Sequence, residues 1–471
     1  MGQAALVASG EATALELVDA AIERIEALNP TLNAVVTTSF DEARARAAAG
    51  PTGPFAGVPY LLKDLVVERE GMPFTEGSRF LAGNVSRFTS ELAVRLERAG
   101  LVVLGQTNTP EFGMAPTCEP VLHGPTRNPW DLDRSTSGSS GGSAAAVASG
   151  MVPMAHGNDL GGSIRYPASA CGLFGLKPTR ARVPLGPEYG DAVSGGAVEH
   201  ALTVSVRDSA ALLDAVHGPL PGDPYPAPPV ARPFLDEVGR DPGRLRVAWT
   251  ARTAEGDLGH PDCVAAVEDA ARLLESLGHD VEEAPLPGLT PEVGGAIGTV
   301  MVSATAWIVG YWARKLGRQP GPDDLEPLTR TYWELGQRVT AADYLLAIED
   351  LQRFCRVVAG FLTGYDVFLT PTMSTPPLPL GCDRDTLAGS VRYAGVVANL
   401  TGNPAMSVPL SWNVDGLPVG VHALGRFGDE ATLFRLAAQL ESAQPWADRR
   451  PPVHAATRRP VGAQRGAGSR S

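Results

Sequence analysis

Two turns rich in glycine and serine lie close together in one stretch of the sequence, residues 135–178. The first reads GSSGG (138–142), the second reads DLGGS (159–163), and an alanine-rich segment that predicts a helix lies between them. Glycine packed this densely around serine lets the backbone come close to a reacting group and turn its N–H groups inward. We therefore interpret the stretch as the centre of a serine-nucleophile active site.

Lysine is rare in this chain. Only three of the 39 basic residues are lysine, namely Lys63, Lys177 and Lys315. Since arginine serves wherever a plain positive charge suffices, a retained lysine suggests a need that arginine cannot meet, such as giving up its proton. Lys63 ends an apolar stretch beside Asp64, where a partly buried amine is expected. Lys315 fits a solvated helix end and Lys177 fits a structural role, so Lys63 is the candidate functional lysine.

The two turns predict different surroundings for Ser163 and Ser139. Ser163 follows residues 160–162 (LGG), whose successive N–H groups can form a concave nest around an oxygen anion. In acyl transfer each such donor contributes roughly 3 kcal/mol. Ser139 precedes the alanine-rich segment and so lies near a helix N-terminus, where the helix dipole favours negative charge. Either motif alone fits a helix cap or an ordinary turn, but the two together with Lys63 favour a catalytic site.

Three other interpretations of these turns are weaker. The segment GSSGG formally matches a G-x-S-x-G nucleophile elbow with Ser140 as nucleophile, but that elbow follows a strand, and residues 128–136 are polar and turn-like. A phosphate-binding loop needs Gly-Lys-Ser/Thr after its glycines, whereas Ser143 follows here. A Ser-His-Asp triad needs a placed histidine. His156 has no visible orienting acid, and we expect it to be a packed core histidine.

Outside this stretch, apolar segments typical of strands alternate with amphipathic segments typical of helices. Thr13 and Glu16 form a capping-box pattern ahead of a helix that runs to Pro30. Alternation of this kind predicts an α/β core with helices over a sheet, and the Pro-rich segment 220–233 is the one clear connector. The further predicted helices are 91–99, 263–277 and 429–441, and the predicted strands are a short one ending at 63–64, 101–104, 246–249 and 366–369.

Longer motifs add a family resemblance that covers nearly everything from the first helix to about Val453. The chain resembles the amidase signature family of serine hydrolases, and the motif set is highly specific. The matching segments are GVPYLLKD (57–64), GSSGGSAAAVA (138–148), DLGGSIRYP (159–167), CGLFGLKP (171–178), NLTGNPAMSVPL (399–410) and GLPVGV (416–421).

The resemblance implies a Ser-cisSer-Lys triad that works without metal or cofactor. Ser163 corresponds to the nucleophile, Ser139 to the serine after a cis peptide bond and Lys63 to the base. The implied fold is α/β, a single large domain with a mixed twisted sheet covered by helices on both faces. The backbone N–H groups that correspond to the oxyanion hole belong to Leu160, Gly161, Gly162 and Ser163.

These roles agree with elementary proton chemistry. A neutral Lys63 would take a proton from Ser163 through Ser139 and later return it to the leaving amine. Lowering a lysine pKa from about 10.4 to about 7–8 costs on the order of 4 kcal/mol, which burial near uncharged hydroxyls could impose. An arginine at this position would stay protonated, which connects the proposed base with the scarcity of lysine.

The sequence departs from the common family pattern just before Gly161. Residues 156–160 (HGNDL) stand where a glycine-threonine-aspartate-threonine form is usual. Together with residues 124–130 (GPTRNPW), this looks closer to the branch that contains 6-aminohexanoate cyclic-dimer hydrolase and related bacterial amidases. We expect hydrolysis of a linear or cyclic carboxylic amide that releases an amine or ammonia and a carboxylate. The alternative is a glutamine-amidotransferase A-type subunit, which acts on glutamine with partner subunits and shares the triad.

We expect an amidase domain over residues 1–454, with a catalytic core segment (61–180) and a variable substrate-pocket region (280–390). The uncharged stretch 293–313 is long enough to span a membrane, but its glycine, serine and threonine content favours a buried or pocket-lining helix. We interpret it as a wall of the acyl pocket, with core packing alone as the open alternative. The candidate pocket residues are Met114, Trp307 and Trp312.

Charge and cysteine content restrict the partners and the compartment. The net charge of −13 argues against nucleic acid, and the arginine-rich segment 455–471 is expected to be a disordered tail. Five widely spaced cysteines without a CxxC pattern fit a reducing cytoplasm rather than a disulfide framework or a zinc site. No signal peptide is evident. The expected partner is a small-molecule amide, with no membrane, and a homodimer is a candidate assembly.

Overall fold

The computed structural model describes residues 1–253, 255–393 and 395–457. Of the segment predicted to be a disordered tail, 455–457 form a turn and the rest lies outside the described residues. The helices are α1 (Gly2–Ser9), α2 (Ala14–Leu32), α3 (Phe40–Ala48), α4 (Glu91–Arg98), α5 (Gly141–Ala148), α6 (Arg165–Cys171), α7 (Val206–Val216), α8 (Pro261–Ser276), α9 (Pro291–Leu316), α10 (Pro327–Gly336), α11 (Ala341–Gly364), α12 (Arg384–Gly389), α13 (Gly395–Thr401) and α14 (Glu430–Ala443). The strands are β1 (Val35–Thr38), β2 (Pro59–Lys63), β3 (Val102–Thr107), β4 (Arg127–Asn128), β5 (Asp131–Ser135), β6 (Met154–Asp159), β7 (Phe174–Lys177), β8 (Val198–Thr203), β9 (Arg246–Trp249), β10 (Asp280–Glu283), β11 (Val367–Pro371), β12 (Ala405–Trp412) and β13 (Pro418–Gly425).

Within the described residues, eleven strands form one mixed sheet in the order β1-β3-β2-β6-β8-β7-β12-β13-β11-β9-β10, and β4 and β5 form a separate hairpin. Pairing is parallel between β2 and its neighbours β3 and β6 and between β9 and its neighbours β10 and β11. The other pairs of the large sheet are antiparallel. The sheet continues past the Pro-rich segment 220–233, which contains no helix or strand. The prediction of a single α/β domain built on a mixed sheet is therefore confirmed.

Both faces of the sheet are covered, so the residues of a central strand are buried on both sides. All five residues of β2 are buried. Tyr60 and Leu62 pack into one core with α4, α7 and α14, whereas Leu61 packs into a second core with α2, α3 and α5. Successive side chains of a strand point to opposite faces. Lys63, two residues after Leu61, is thereby directed to the face that carries α5.

The predicted elements are present, with small shifts at their ends. The capping box is formed, because Glu16 N–H donates to Thr13 Oγ1 and Thr13 N–H donates to Glu16 Oε2. Helix α2 runs through Pro30 to Leu32 rather than ending at the proline. A proline this close to the C-terminus removes one backbone hydrogen bond, whose acceptor lies at the solvent-exposed Glu26. Strand β3 extends beyond the predicted end into buried polar residues, which the apolar pattern does not include.

The uncharged stretch 293–313 forms most of α9. By length and composition alone this helix could cross a membrane, and 28% of its most apolar window is buried. It packs against α10 and α11. Near its C-terminus, Val309, Trp312 and Ala313 join a hydrophobic cluster with Phe74 and Phe80. These contacts attach the C-terminal part of α9 to the segment that follows β2 along the chain.

Candidate active site

Lys63 stands at the end of β2, fully buried, with its amine among three polar side chains. Nζ lies 2.6 Å from Ser139 Oγ, 3.0 Å from Ser140 Oγ and 2.5 Å from Asn158 Oδ1. Burial lowers the pKa of Lys63 to about 7, and nearby carboxylates, Glu199 first among them, offset this effect only in part. The amine can therefore gain or lose a proton near neutral pH.

Ser139 reaches Lys63 because glycines let the start of α5 pack directly on neighbouring backbone. The peptide bond between Gly138 and Ser139 is cis. A Cβ atom on Gly138 would lie 2.2 Å from the carbonyl oxygen of Thr117, and one on Gly142 would lie 2.4 Å from the backbone nitrogen of Asn108. Only glycine fits at these two positions. The glycines of the first turn are thus required by close backbone contacts.

Ser163 comes from the turn between β6 and α6, which the carboxylate of Asp159 shapes. Asp159 Oδ1 accepts a hydrogen bond from Gly162 N–H at 2.8 Å, and Oδ2 accepts one from Ile164 N–H at 3.1 Å. Gly162 has a φ of +123°, a region that favours glycine. Ser140 N–H donates to the carbonyl oxygen of Ser163 at 3.1 Å. This last bond joins the two glycine-serine turns.

One of the four N–H groups predicted to form the oxyanion hole already donates a hydrogen bond within the protein. Gly162 N–H is already donated to the Asp159 carboxylate, so it is not free to bind another oxygen. The N–H groups of Leu160, Gly161 and Ser163 donate to no acceptor within the described part of the chain. Leu160 and Ser163 also line a cavity. The turn therefore offers a small group of free backbone donors around Ser163.

Behind the second turn, Asp159 is held by a buried arginine and an asparagine. Arg165 Nε and Nη2 donate to the two carboxylate oxygens at 3.0 Å and 2.9 Å, and Asn399 Nδ2 donates to Oδ1 at 3.0 Å. Burial alone would raise the pKa of Asp159, but the adjacent Arg165 outweighs it and holds that pKa well below its usual range. A buried charged pair thus fixes the turn that carries Ser163. Arg165 and Asn399 received no role from the sequence, although both lie in the quoted motifs.

His156 is buried in the core, as expected, but it does have an acidic partner. Its Nδ1 accepts a hydrogen bond from Lys63 N–H at 3.1 Å, and its Nε2 lies 2.6 Å from Glu199 Oε2. Because Nδ1 accepts, the ring proton is on Nε2 and is donated to Glu199. Glu199 lies on β8, the strand next to β6, so distance along the chain concealed this pair in the sequence. His156 supports the backbone of Lys63 and does not line the cavity with Ser163.

Ser140, the nucleophile in the elbow interpretation, is fully buried and does not line the cavity. Its Oγ donates to the carbonyl oxygen of Asn158 at 3.2 Å. The residues before it do contain a strand, β5, which the turn-like sequence did not predict. That strand pairs with β4 in the small hairpin and forms one isolated bridge with Pro379, and among the described residues it is not part of the main sheet. A strand-to-helix elbow on the central sheet is therefore not formed here.

Ser139 and Ser163 open onto one cavity of about 90 Å³. The walls of this cavity are mostly apolar, and one face of the middle turns of α9 forms part of them. The candidate pocket residues Met114 and Trp307 both line the cavity. The main apolar wall residues are Leu65, Phe112, Met114, Ala192, Val193, Met301, Ala304, Trp307 and Ile308.

Other spaces in the described structure lie outside this cavity. Trp307 also borders an open groove of about 500 Å³ that reaches Tyr344. A cavity of about 340 Å³ bordered by Trp130 and Trp446 contains none of the predicted site residues, so size alone does not locate the site.

Trp312 does not line the cavity, contrary to the prediction. It is 2% exposed, its ring lies 6.0 Å from that of Phe74, and its Nε1 donates to Glu76 Oε2 at 3.0 Å. Five positions along an α-helix correspond to a rotation of about 140°, so Trp307 and Trp312 cannot share one face of α9. Trp312 instead lies behind Glu76, which does line the cavity.

Comparison with known proteins finds relatives that match nearly the whole chain. The family model described as amidase matches residues 16–434. The chain is 41% identical to the 6-aminohexanoate-cyclic-dimer hydrolase of Paenarthrobacter ureafaciens, over 95% of both chains. A structure of 6-aminohexanoate cyclic dimer hydrolase complexed with substrate has a TM-score of 0.91 at 38% identity, and covers 96% of this chain and 98% of that one.

A second kind of relative is more distant. A glutamyl-tRNA(Gln) amidotransferase subunit from Thermotoga maritima, of the A type, has a TM-score of 0.75 at 31% identity and covers 92% of both chains. The match to the amidase family spans most of the sequence and includes both glycine-serine turns and Lys63. This chain therefore belongs to the amidase signature family and is an amidase, a hydrolase of carbon–nitrogen bonds other than peptide bonds.

Proposed function

We propose that this amidase cleaves its substrate through an acyl-enzyme on Ser163, with Ser139 carrying protons between Ser163 and Lys63. The observation that carries the proposal is the 2.6 Å contact between Lys63 Nζ and Ser139 Oγ, at the wall of the cavity onto which Ser163 opens. A lysine that loses its proton near neutral pH is suited to act as a general base.

The hydrogen bonds around Lys63 support one direction of proton transfer. The Ser140 hydroxyl donates to the carbonyl oxygen of Asn158, so Ser140 Oγ is an acceptor for the lysine amine. Asn158 Oδ1 is an acceptor too, because the Nδ2 of the same amide donates to Leu65 O. A neutral amine has two N–H donors and one lone pair. With both donors used, the lone pair is left for the hydroxyl of Ser139.

The reaction then follows from the groups present. Ser163 Oγ attacks the amide carbon while its proton passes to Ser139 and the Ser139 proton passes to Lys63. The free N–H groups of Leu160, Gly161 and Ser163 are available to the negative oxygen that develops. Lys63, now charged, returns the proton through Ser139 to the departing nitrogen. Water then releases the carboxylate by the same relay, and Ser163 regains its proton.

The apolar walls favour a substrate with a hydrocarbon acyl group. The relatives named as 6-aminohexanoate-cyclic-dimer hydrolases support an aliphatic amide, linear or cyclic. The alternative of an amidotransferase component has less support, since the structural match to that subunit is weaker. Hydrolysis should be screened over aliphatic, aryl and cyclic amides and glutamine, with Ser163→Ala as the blank. Preference for glutamine would contradict the proposal.

The rate should depend on pH through the protonation state of Lys63. The relay requires the neutral amine, so the active fraction increases as pH rises through the Lys63 pKa of about 7. We expect kcat/KM to rise about tenfold per pH unit on the acid side and to level off above neutrality. Burial also raises the pKa of Asp64 to about 7, so Asp64 could in principle cause the same pH dependence. Asp64→Asn is therefore the control, and it must keep the rise of kcat/KM on the acid side. A pH-independent rate across neutrality would contradict the role of Lys63.

Trp307 lines both the cavity and the open groove, as Val193 and Ala304 also do, and it is the largest of these three side chains. Trp307→Ala should join the two spaces and shift the ratio of kcat/KM for a bulky aryl amide over a small aliphatic amide upward by about tenfold. Leu345→Ala removes an exposed apolar side chain that lines neither space, and should leave the ratio unchanged. Equal ratios in both variants would show that Trp307 does not limit the substrate.

A further inference from the structure

One carboxyl group in the cavity wall has no part in the proposed hydrolysis. Glu76 lines the same cavity as Ser139 and Ser163, yet it is only 1% exposed. The wall around it is apolar and includes Phe112 and Ile308. A polar group in such a place is destabilising unless a hydrogen-bond partner compensates for the lost water.

The position of this carboxyl is tightly held. Glu76 has a φ of +47°, in the left-handed region that favours glycine, so its backbone is strained. Its carbonyl oxygen accepts a hydrogen bond from Phe112 N–H at 2.8 Å. Its Oε2 accepts one from Trp312 Nε1 at 3.0 Å. Main chain and side chain are thus both fixed, and the carboxyl is oriented before any ligand binds.

The other carboxyl oxygen is open. Oε1 is buried and has no hydrogen-bond partner among the described residues. Burial raises the pKa of Glu76 to about 8. Donation from Trp312 opposes that rise, the charges of Glu68 and Asp64 add to it, and the nearby Val66 N–H opposes it weakly. At neutral pH the carboxyl is therefore mainly protonated, with Oε1 as its open hydrogen-bonding position.

These properties select the kind of group that can bind there. A neutral secondary amide carries both a carbonyl acceptor and an N–H donor, so it satisfies a carboxyl in either protonation state. An ammonium group would have to leave water for an apolar cavity whose carboxyl is mostly uncharged. A substrate that places a methyl group there would leave Oε1 without a hydrogen-bond partner, so binding would lose the full desolvation free energy of that atom.

We propose that Glu76 binds a second amide group in the acyl part of the substrate, so that the enzyme favours diamides over monoamides of equal length. The inference rests on the proposed function, because it places the acyl chain in the enclosed cavity. The acyl group stays attached to Ser163 after the amine has left, and Glu76 lines the same cavity as Ser163, so its carboxyl can contact the acyl part.

Three anilides test this preference in the wild-type enzyme. The first is the anilide of ω-acetamidohexanoic acid, the second is its chain-length match, the anilide of nonanoic acid, and the third is the anilide of ω-aminohexanoic acid. We expect kcat/KM to be about tenfold higher for the first than for the other two, the size of one hydrogen bond to a buried group. Equal values for the first two, or a preference for the amine, would overturn the proposal.

Variants assign the preference to Glu76. Glu76→Met keeps the length but removes the polar end and should bring the ratio of the first two anilides close to one. Glu76→Gln can still accept from Trp312 and bind an amide, and should restore the ratio. Glu68→Gln is the matched control, since Glu68 is 3% exposed and its Oε1 also lacks a partner among the described residues, but it does not line the cavity.

The two proposals fail in different ways. If Glu76 has no such role, the wild-type enzyme still hydrolyses all three anilides through Ser163, without discrimination between the first two. If the proposed function is wrong, Ser163→Ala retains hydrolysis whatever the ratio is. If the ratio of kcat/KM for the first two anilides persists in Glu76→Met, the assignment to Glu76 is overturned. If that variant does not fold, the comparison of the anilides in the wild-type enzyme still decides whether diamides are preferred.

Discussion

Ser163→Ala is expected to lower kcat for amide hydrolysis by about 10⁴-fold or more, with little change in the fold. Loss of a serine nucleophile removes the covalent route entirely, and what remains is the contribution of binding and of the backbone donors. The turn is shaped by Asp159 through the N–H groups of Gly162 and Ile164 and not by the side chain of Ser163. Thermal unfolding should therefore be nearly unchanged. Initial rates at saturating substrate provide the measurement.

A matched serine supplies the control for this result. Ser149 is a fully buried serine at the end of α5 whose Oγ donates to Ala146 O. Ser149→Ala should keep wild-type kcat, and it should still be labelled by a fluorophosphonate. Ser163→Ala should not be labelled, and peptide mass spectrometry on the wild type should locate the label on residue 163. A label on Ser139 or Ser140 would contradict the assignment of the nucleophile.

The fold was predictable because local patterns and burial agree along most of the chain. Strand β2 is an apolar run covered on both faces, and the capping box at Thr13 starts α2 where the sequence places it. Glycines 138 and 142 could be singled out, because their lack of a side chain is what lets backbone segments touch. Such features depend on neighbours in sequence or on one type of residue. They can therefore be recognised without the tertiary structure.

The parts that escaped prediction depend on contacts between distant segments. In the sequence Asn158 is only part of a departure from the family pattern, yet its Oδ1 lies 2.5 Å from Lys63 Nζ. The motif predicts the N–H of Gly162 as an oxyanion donor, but the Asp159 carboxylate accepts its hydrogen bond. Trp312 belongs to the face of α9 that packs on Phe74 and Glu76, and the apolar run of α9 does not indicate which face meets the cavity. A one-dimensional pattern contains no information on these pairings.

Lys63→Arg is expected to lower kcat/KM by about 10³-fold or more at every pH from mildly acidic to alkaline. The guanidinium group stays protonated throughout this range, so it cannot take a proton from Ser139. It also introduces a permanent charge where burial lowers the pKa of the native amine to about 7. We therefore expect the acid limb of the pH profile to disappear along with the activity. Steady-state rates over the pH range supply the measurement.

Chemical rescue then separates loss of the base from loss of structure. Lys63→Ala leaves a buried space beside Ser139, and a small neutral alkylamine that enters it should restore part of the activity, more so as pH rises. The same amine should not rescue Lys63→Arg, because the guanidinium fills the site. Lys177 is the matched control: it is equally buried with a pKa lowered to about 7, but its Nζ donates to the Pro178 carbonyl rather than meeting a serine. Lys177→Met should therefore keep the acid limb of the pH profile. Loss of that limb in this variant would show that the pH dependence comes from Lys177 and not from Lys63.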